Sequence, residues 1–239
     1  MFNNKSVVVI IPARKGSVGL PGKNWKLLHG KPVIEYSIEH AISSKYVDKI
    51  LVTSDSKEIE KITLEYISKN PEDKRIVFIK RPDVYCGPNV SSETVMIHAL
   101  SLTNKMFGAI VLLQPTSPVR QIGMLDKCIE KFFNENADSL STSEKHTPFF
   151  VQKNIKGGLD FHFSKTYRTR RQELKAEEWY YHDDGNISIV KHDVLQSWHT
   201  RIGSKHIIYE NEAICSLQID TEMDFKMIEA LMPLMEKQK

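Results

Sequence analysis

The 239 residues carry 33 lysines and arginines against 30 aspartates and glutamates, and the resulting charge of +3 is too small to argue for nucleic acid as a partner. A hydrophobic content of 41% fills a substantial core, in one large domain or a domain with a sizeable appendage. No apolar run approaches the roughly 18 residues of a membrane span, and the widely spaced Cys86, Cys128 and Cys215 form neither a disulfide framework nor a zinc motif, so a reducing cytoplasm is the simplest compartment.

In chain order, "SVVVIIPA" predicts a strand rather than a secretory signal, because no small-residue cleavage site follows it. "KPVIEYSIEHAIS" places Ile34, Ser37, Ile38, Ala41 and Ile42 on one helical face, with Pro32 suited to its first turn. "KILVTS" is the next strand. Asp55, three residues before Glu58, predicts a capped helix start ahead of Ile59, Ile62, Tyr66 and Ile67. Strand "RIVFIK" leads to helix "SSETVMIHALSL", with Ser91 or Ser92 near its start and His98 a packed residue. "GAIVLLQ" reads as a strand buried on both faces, followed by helix "IGMLDKCIEKFFNEN" and strand "DSLSTS". This alternation predicts an α/β fold with a mainly parallel sheet.

After Ser143 the alternation dissolves. Residues 144–184 are polar, dense in charge and aromatics, and read as a projecting insertion. Within them, His182, Asp183 and Asp184 predict a surface turn, since three adjacent residues cannot all face one ion from a regular backbone. Strands "NISIV" and "AICSLQI" and an amphipathic helix "DTEMDFKMIEALMPLMEKQ" complete the chain.

In an open parallel sheet, ligands bind where loops converge at the carboxyl ends of the strands. The loop "ARKGSVGLPGKN" sits at such an end, and its glycines with Arg14, Lys15 and Lys23 suit either an anion cradle or a solvated turn. It is not a Walker A loop, because Gly22 and Lys23 precede Asn24 and Ser17 stands at the first glycine position. Nor is it a dinucleotide fingerprint, because Gly16, Gly19 and Gly22 are three apart.

The segments "PARKGSVGLPGKN", "GKPVIEYSIEHAISSKYVDKILVTSDSKEI", "KRPDVY", "SSETVMIHAL", "VLLQPTSPVR", "RRQEL" and "IDTEMD" resemble, in order, those of the acylneuraminate cytidylyltransferases, which make CMP-activated sialic and related nonulosonic acids. The resemblance spans nearly the whole chain and implies a three-layer nucleotidyltransferase fold, a single domain over 1–239, and a role for 144–184 in dimerisation and in the sugar site. It implies attack of the anomeric hydroxyl of a 2-keto-3-deoxy sugar acid on the α-phosphorus of CTP, with Mg²⁺ as cofactor, in a cytoplasmic homodimer serving cell-surface polysaccharide synthesis.

By the same resemblance, Arg14, Lys23 and Asp220 carry the chemistry, and Arg14, Gly16, Ser17, Lys23, Asn24, Arg81 and Ser92 hold the nucleotide. Gln114, Arg171 and Asp184 meet the sugar, and Asp220 with Gln218 holds the metal. The chain departs from the family pattern at Gln218 and Asp184, which stand where the family usually has an aspartate and an asparagine, and at Pro88, which replaces an acidic residue. A different sugar, or a homologue that binds nucleotide or sugar without turnover, remains an alternative.

Overall fold

The computed structural model describes residues 1–16 and 19–236. In chain order the elements are β1 (Val7–Pro12), β2 (Leu27–Leu28), β3 (Lys31–Pro32), α1 (Val33–Ile42), β4 (Lys49–Ser54), α2 (Lys57–Lys69), β5 (Ile76–Lys80), α3 (Ser92–Ser101), β6 (Ala109–Leu113), α4 (Met124–Asn134), β7 (Ser139–His146), β8 (Val151–Lys153), β9 (Leu159–Phe161), β10 (Tyr180–Val190), α5 (His192–Trp198), β11 (His206–Asn211) and α6 (Glu222–Glu236). Seven of the strands form one sheet in the order β11-β7-β10-β6-β1-β4-β5. Of these seven, β10 alone runs against its neighbours β6 and β7, and the other pairings are parallel.

Strand β1 is apolar at every position because it lies mid-sheet with helices on both faces. Val7, Val9 and Ile11 pack towards Ile34, Ile38, Leu125 and Phe132 of α1 and α4. Val8 and Ile10 pack the other way, among Met96 and Leu100 of α3 and Leu195 of α5. These two apolar clusters make a three-layer α/β fold. A third cluster joins Leu20, Leu28 and Val33 to Val119, Ile219, Phe225 and Ile228, and so presses the loop after β1 against the start of α6. That contact brings opposite ends of the chain together at the point where the strand order reverses, between β1 and β6.

Several local expectations are corrected. Ser56, not Asp55, caps α2, accepting from the Glu58 and Ile59 amides, while Asp55 Oδ1 accepts from the Lys15 amide at 2.7 Å. Ser91 caps α3 through the Thr94 amide, which leaves the Ser92 side chain for another use. The residues read as a turn at His182–Asp184 are extended in β10, with Tyr180 to Asp183 paired to His146 to Ser143. A bulge follows before Ser188, and Gly185 within it has φ +62. "AICSLQI" is not a strand. Ala213–Ser216 form a 3-10 turn whose Cys215 carbonyl accepts from Asn186 Nδ2, and the sheet edge is taken by the unforeseen β11.

The 144–184 segment is built on the lengthened β7–β10 pair. Between its arms, β8 and β9 form an exposed hairpin, and the Arg168 guanidinium lies 3.9 Å from the Phe149 ring centre. Among the described residues, no helix is long and apolar enough to cross a membrane.

His40, in the last turn of α1, keeps a little solvent contact, yet its ring Nε2 is buried with no partner among the described residues. Burial first and the Arg120 charge second push its pKa down to about 3, from 6.5. Because the unfolded chain takes up this proton below pH 6.5 and the folded one does not, stability is full above pH 6.5 and declines from there towards pH 3. Replacing His40 by leucine is expected to flatten that acid limb by up to about 1.4 kcal/mol per pH unit, read from urea unfolding at a series of pH values.

Candidate active site

A cleft of about 480 Å³ opens where β1 and β6 diverge. Its walls come from four places: the loop after β1, the segment from β5 to the start of α3, the turn after β6, and the residues leading into α6. Arg14, Lys23 and Asn24 line the first wall, Arg81 and Ser92 the second, Gln114 the third, and Gln218 and Asp220 the fourth.

The loop after β1 is held against the start of α6 by close contact as well as charge. A Cβ on Gly19 would lie 2.3 Å from the Asp220 carbonyl oxygen, so only glycine lets the two backbones meet there. Gly22 turns the chain with φ +74. Lys23 then reaches across, its Nζ donating to the Ile219 carbonyl at 2.6 Å and to Asp220 Oδ1 at 2.9 Å. Asn24 is buried. Its Nδ2 donates to the Arg14 carbonyl at 3.2 Å, while its Oδ1 lacks a partner among the described residues.

Arg81 is only 4% exposed, and its Nη2 donates to the Thr53 carbonyl at 2.7 Å. Burial lowers its pKa, with Arg14 pushing the same way and Cys86 and Asp55 opposing, but a guanidinium stays charged at neutral pH. A buried cation thus forms part of the second wall, together with Ser92.

The third and fourth walls meet over Gly185. A Cβ there would lie 2.7 Å from Gln218 Nε2 and 3.0 Å from Gln114 Nε2, so the two side-chain amides stand together where a larger residue would push them apart. Gln218 Nε2 donates to the Asp184 carbonyl, which leaves Oε1 as the atom it has to offer a cation. Ile219 N donates to the Thr116 carbonyl at 2.8 Å and ties the same two walls.

Asp184 does not face the cleft. Its carboxylate is fully buried and accepts from Thr142 Oγ1, the Asn186 amide, Asn211 Nδ2 and Ser216 Oγ, so it braces the bulge from behind. Expected at the sugar, Asp184 is instead placed outside the lining of this cleft. Arg171 lies on the exposed 144–184 segment, its guanidinium 5.8 Å from the Trp179 ring, and is not in the lining of this chain's cleft. Gly16 is exposed, with open space where a Cβ would stand, so no close approach requires glycine there, and Ser17 lies outside the described residues.

Arg120 was not foreseen. Its guanidinium donates to Ser37 Oγ at 3.0 Å, the Gln114 carbonyl at 2.8 Å and the Asn186 carbonyl at 3.2 Å, locking the turn after β6 to the β10 bulge. Burial pushes it down to about 9 while the Asp184 charge pulls it back up. Its one sequence signal was its place just after the two prolines of "QPTSPVR", which hold that turn rigid.

Asp220 is the one carboxylate in the lining, and no group of three metal-ligating side chains occurs among the described residues. Asp224 instead caps the last helix, accepting from the Thr221 amide at 2.7 Å and from the Thr221 hydroxyl.

A family model described as cytidylyltransferase matches residues 8–239. The chain belongs to the cytidylyltransferase family. It is 30% identical over 240 residues to an N-acylneuraminate cytidylyltransferase of Escherichia coli O18:K1:H7 (strain RS218 / NMEC), covering 98% of this chain and 54% of that protein. It is 32% identical over 183 residues to a pseudaminic acid cytidylyltransferase of Campylobacter jejuni subsp. jejuni serotype O:23/36 (strain 81-176), covering 74% of each. The chain spans about half the length of the N-acylneuraminate relatives it matches. Among solved structures, a CMP:2-keto-3-deoxy-manno-octonic acid synthetase complexed with CTP superposes with a TM-score of 0.68 at 16% identity, over 96% of this chain and 99% of that one. That likeness establishes the cytidylyltransferase's fold.

Proposed function

We propose that the chain transfers CMP from CTP to the anomeric hydroxyl of a 2-keto-3-deoxy sugar acid of the sialic or related nonulosonic type. The hydroxyl oxygen bonds to the α-phosphorus, the bond from that phosphorus to the bridging oxygen breaks, pyrophosphate leaves, and the hydroxyl proton passes to solvent. The observation that carries this reading is the meeting of Arg14, Lys23 and Asp220, from opposite ends of the chain, in one cleft.

The residues divide the work by chemistry. Arg14 offers a planar fork and Lys23 a point charge to the triphosphate. Asn24, with its unpaired Oδ1, and Arg81 and Ser92 surround the nucleoside. Gln114 faces the acceptor, beside the Gln218 amide. The donor set fits a hard cation: the Asp220 carboxylate and Gln218 Oε1 would hold Mg²⁺ together with phosphate and water oxygens. Bound there, Mg²⁺ supplies neutralisation of the phosphate charge. A cytoplasmic homodimer belongs to the same proposal, supported by the exposed Phe150, Val151, Leu159 and Phe161 on the projecting segment.

The test is pyrophosphate release from CTP and Mg²⁺ with a panel of N-acetylneuraminic, legionaminic, pseudaminic and deoxy-octulosonic acids. Release with at least one is expected. Absence of release with all four, with CTP still bound, would overturn the reading in favour of a binding protein without turnover.

Gly19→Ala is expected to lift the loop off Asp220 and, by misplacing Lys23 by about 1 Å, to lower kcat/KM about 100-fold. Steady-state kinetics with CTP as the varied substrate check this, and an unchanged kcat/KM would show that the loop need not touch Asp220.

A further inference from the structure

The single carboxylate that the described residues bring to the cleft is already engaged by a lysine. Lys23 Nζ is bound to Asp220 Oδ1 and to the neighbouring Ile219 carbonyl. The lysine side chain is 13% exposed and the aspartate 68%, so the ammonium is held in place by the wall while the carboxylate faces open solvent. The contact of Gly19 with the Asp220 backbone fixes the spacing. The pair is therefore built into the fold.

A divalent cation arriving at this wall alone meets poor terms. It binds hard oxygens, parts reluctantly with its waters, and gains most from several anionic ligands. Here it finds one carboxylate whose charge is offset by an ammonium 2.9 Å away, and that ammonium repels the cation. The other side chain with an oxygen to offer in this wall is the neutral Gln218, whose amide nitrogen is tied to the Asp184 carbonyl. A nucleoside triphosphate reverses each of these terms. Its oxygens offer Lys23 a stronger anion than one carboxylate, and the same phosphates add ligands for the cation.

On the reading of the cleft as a CTP site, we propose that Lys23 is a latch on the metal position. The described cleft holds no divalent-cation site of its own, and the cation is retained only with the nucleotide, when Lys23 exchanges Asp220 for a phosphate oxygen and releases the carboxylate. Gln218 enforces this order. As a neutral amide anchored behind the wall, it withholds the second negative charge that would let the cation bind first.

The experiment is a Mn²⁺ titration followed by electron paramagnetic resonance, on the intact chain alone and with the unreactive α,β-methylene analogue of CTP, with analogue binding measured separately by calorimetry. The wild-type chain alone is expected to show no saturable Mn²⁺ binding up to millimolar concentrations. Mn²⁺ and the analogue should strengthen each other's binding by about 5–150-fold, equally in both directions. Gln218→Asp is expected to bind Mn²⁺ without the analogue. Lys23→Met, which leaves the Gln218 anchor intact, should bring the Mn²⁺ affinities with and without the analogue closer together. Saturable Mn²⁺ binding by the wild-type chain alone, as tight as with the analogue, would overturn the latch while leaving the CTP reading standing. No binding of the analogue under any condition would overturn the CTP reading, and the latch with it.

Discussion

Asp220→Asn is expected to slow pyrophosphate release from CTP by about 10²–10³-fold, the size of effect seen when one preorganised electrostatic group is removed from a site where charge develops. The substitution is nearly isosteric. An asparagine oxygen still accepts from Lys23 Nζ, so the contact that closes the loop after β1 over the start of α6 survives, and the change isolates the charge. Because the Asp220 side chain is mostly in solvent, stability should stay within about 0.5 kcal/mol of the parent. The informative comparison is Lys23→Met, which removes a phosphate partner rather than the carboxylate. Its main effect should fall on the KM for CTP, whereas Asp220→Asn should lower kcat. Turnover undiminished in Asp220→Asn would remove this carboxylate from the chemistry and leave the cleft with none.

Apart from the two-residue strands β2 and β3, the alternation of strand and helix up to β7 was legible because each element keeps its own period, and the runs of β1 and β6 are apolar throughout. The reading failed where periodicity and burial part company. The first four residues of β10, two tyrosines, a histidine and an aspartate, are exposed because they lie on the lengthened β7–β10 pair, so no apolar–polar alternation marks them as a strand. "AICSLQI" is apolar because the third cluster and the back of the cleft bury Cys215 and Ile219, although the backbone there is a 3-10 turn and not a strand. Asp55 and Ser56 both suit a cap, and only the path of the chain into α2 selects the serine.

The cleft shows the same division. Arg14, Lys23, Asn24, Arg81, Ser92, Gln114, Gln218 and Asp220 all line it, and each belongs to a segment whose motif was visible in the sequence. Arg120, Asn186 and the brace around Asp184 depend on partners up to 83 positions away, so no local pattern announces their roles, and only the prolines before Arg120 hint at a rigid turn. Asp184 is the instructive case. A polar, charged neighbourhood in sequence reads as surface, yet Thr142, Asn211 and Ser216 supply enough donors to bury a carboxylate completely.

That burial distinguishes a brace from a substrate contact. Asp184→Ala would leave the Thr142, Asn211 and Ser216 donors without their acceptor and remove the negative charge that opposes the cost of burying Arg120. The expected loss of stability is about 3–5 kcal/mol, or a Tm lower by about 6–20 °C for a domain of this size. Asp184→Asn is milder, about 1–3 kcal/mol, because one oxygen remains to accept while the new NH₂ must face donors. Were Asp184 to contact the acceptor instead, Asp184→Asn would alter the preference among sugar acids and leave the melting temperature almost untouched. Thermal unfolding of both variants, set beside their relative kcat/KM across the acid panel, separates the two. The brace requires a lowered Tm with the order of preference among the acids unchanged, since Gln218 binds the Asp184 backbone carbonyl, which both substitutions preserve.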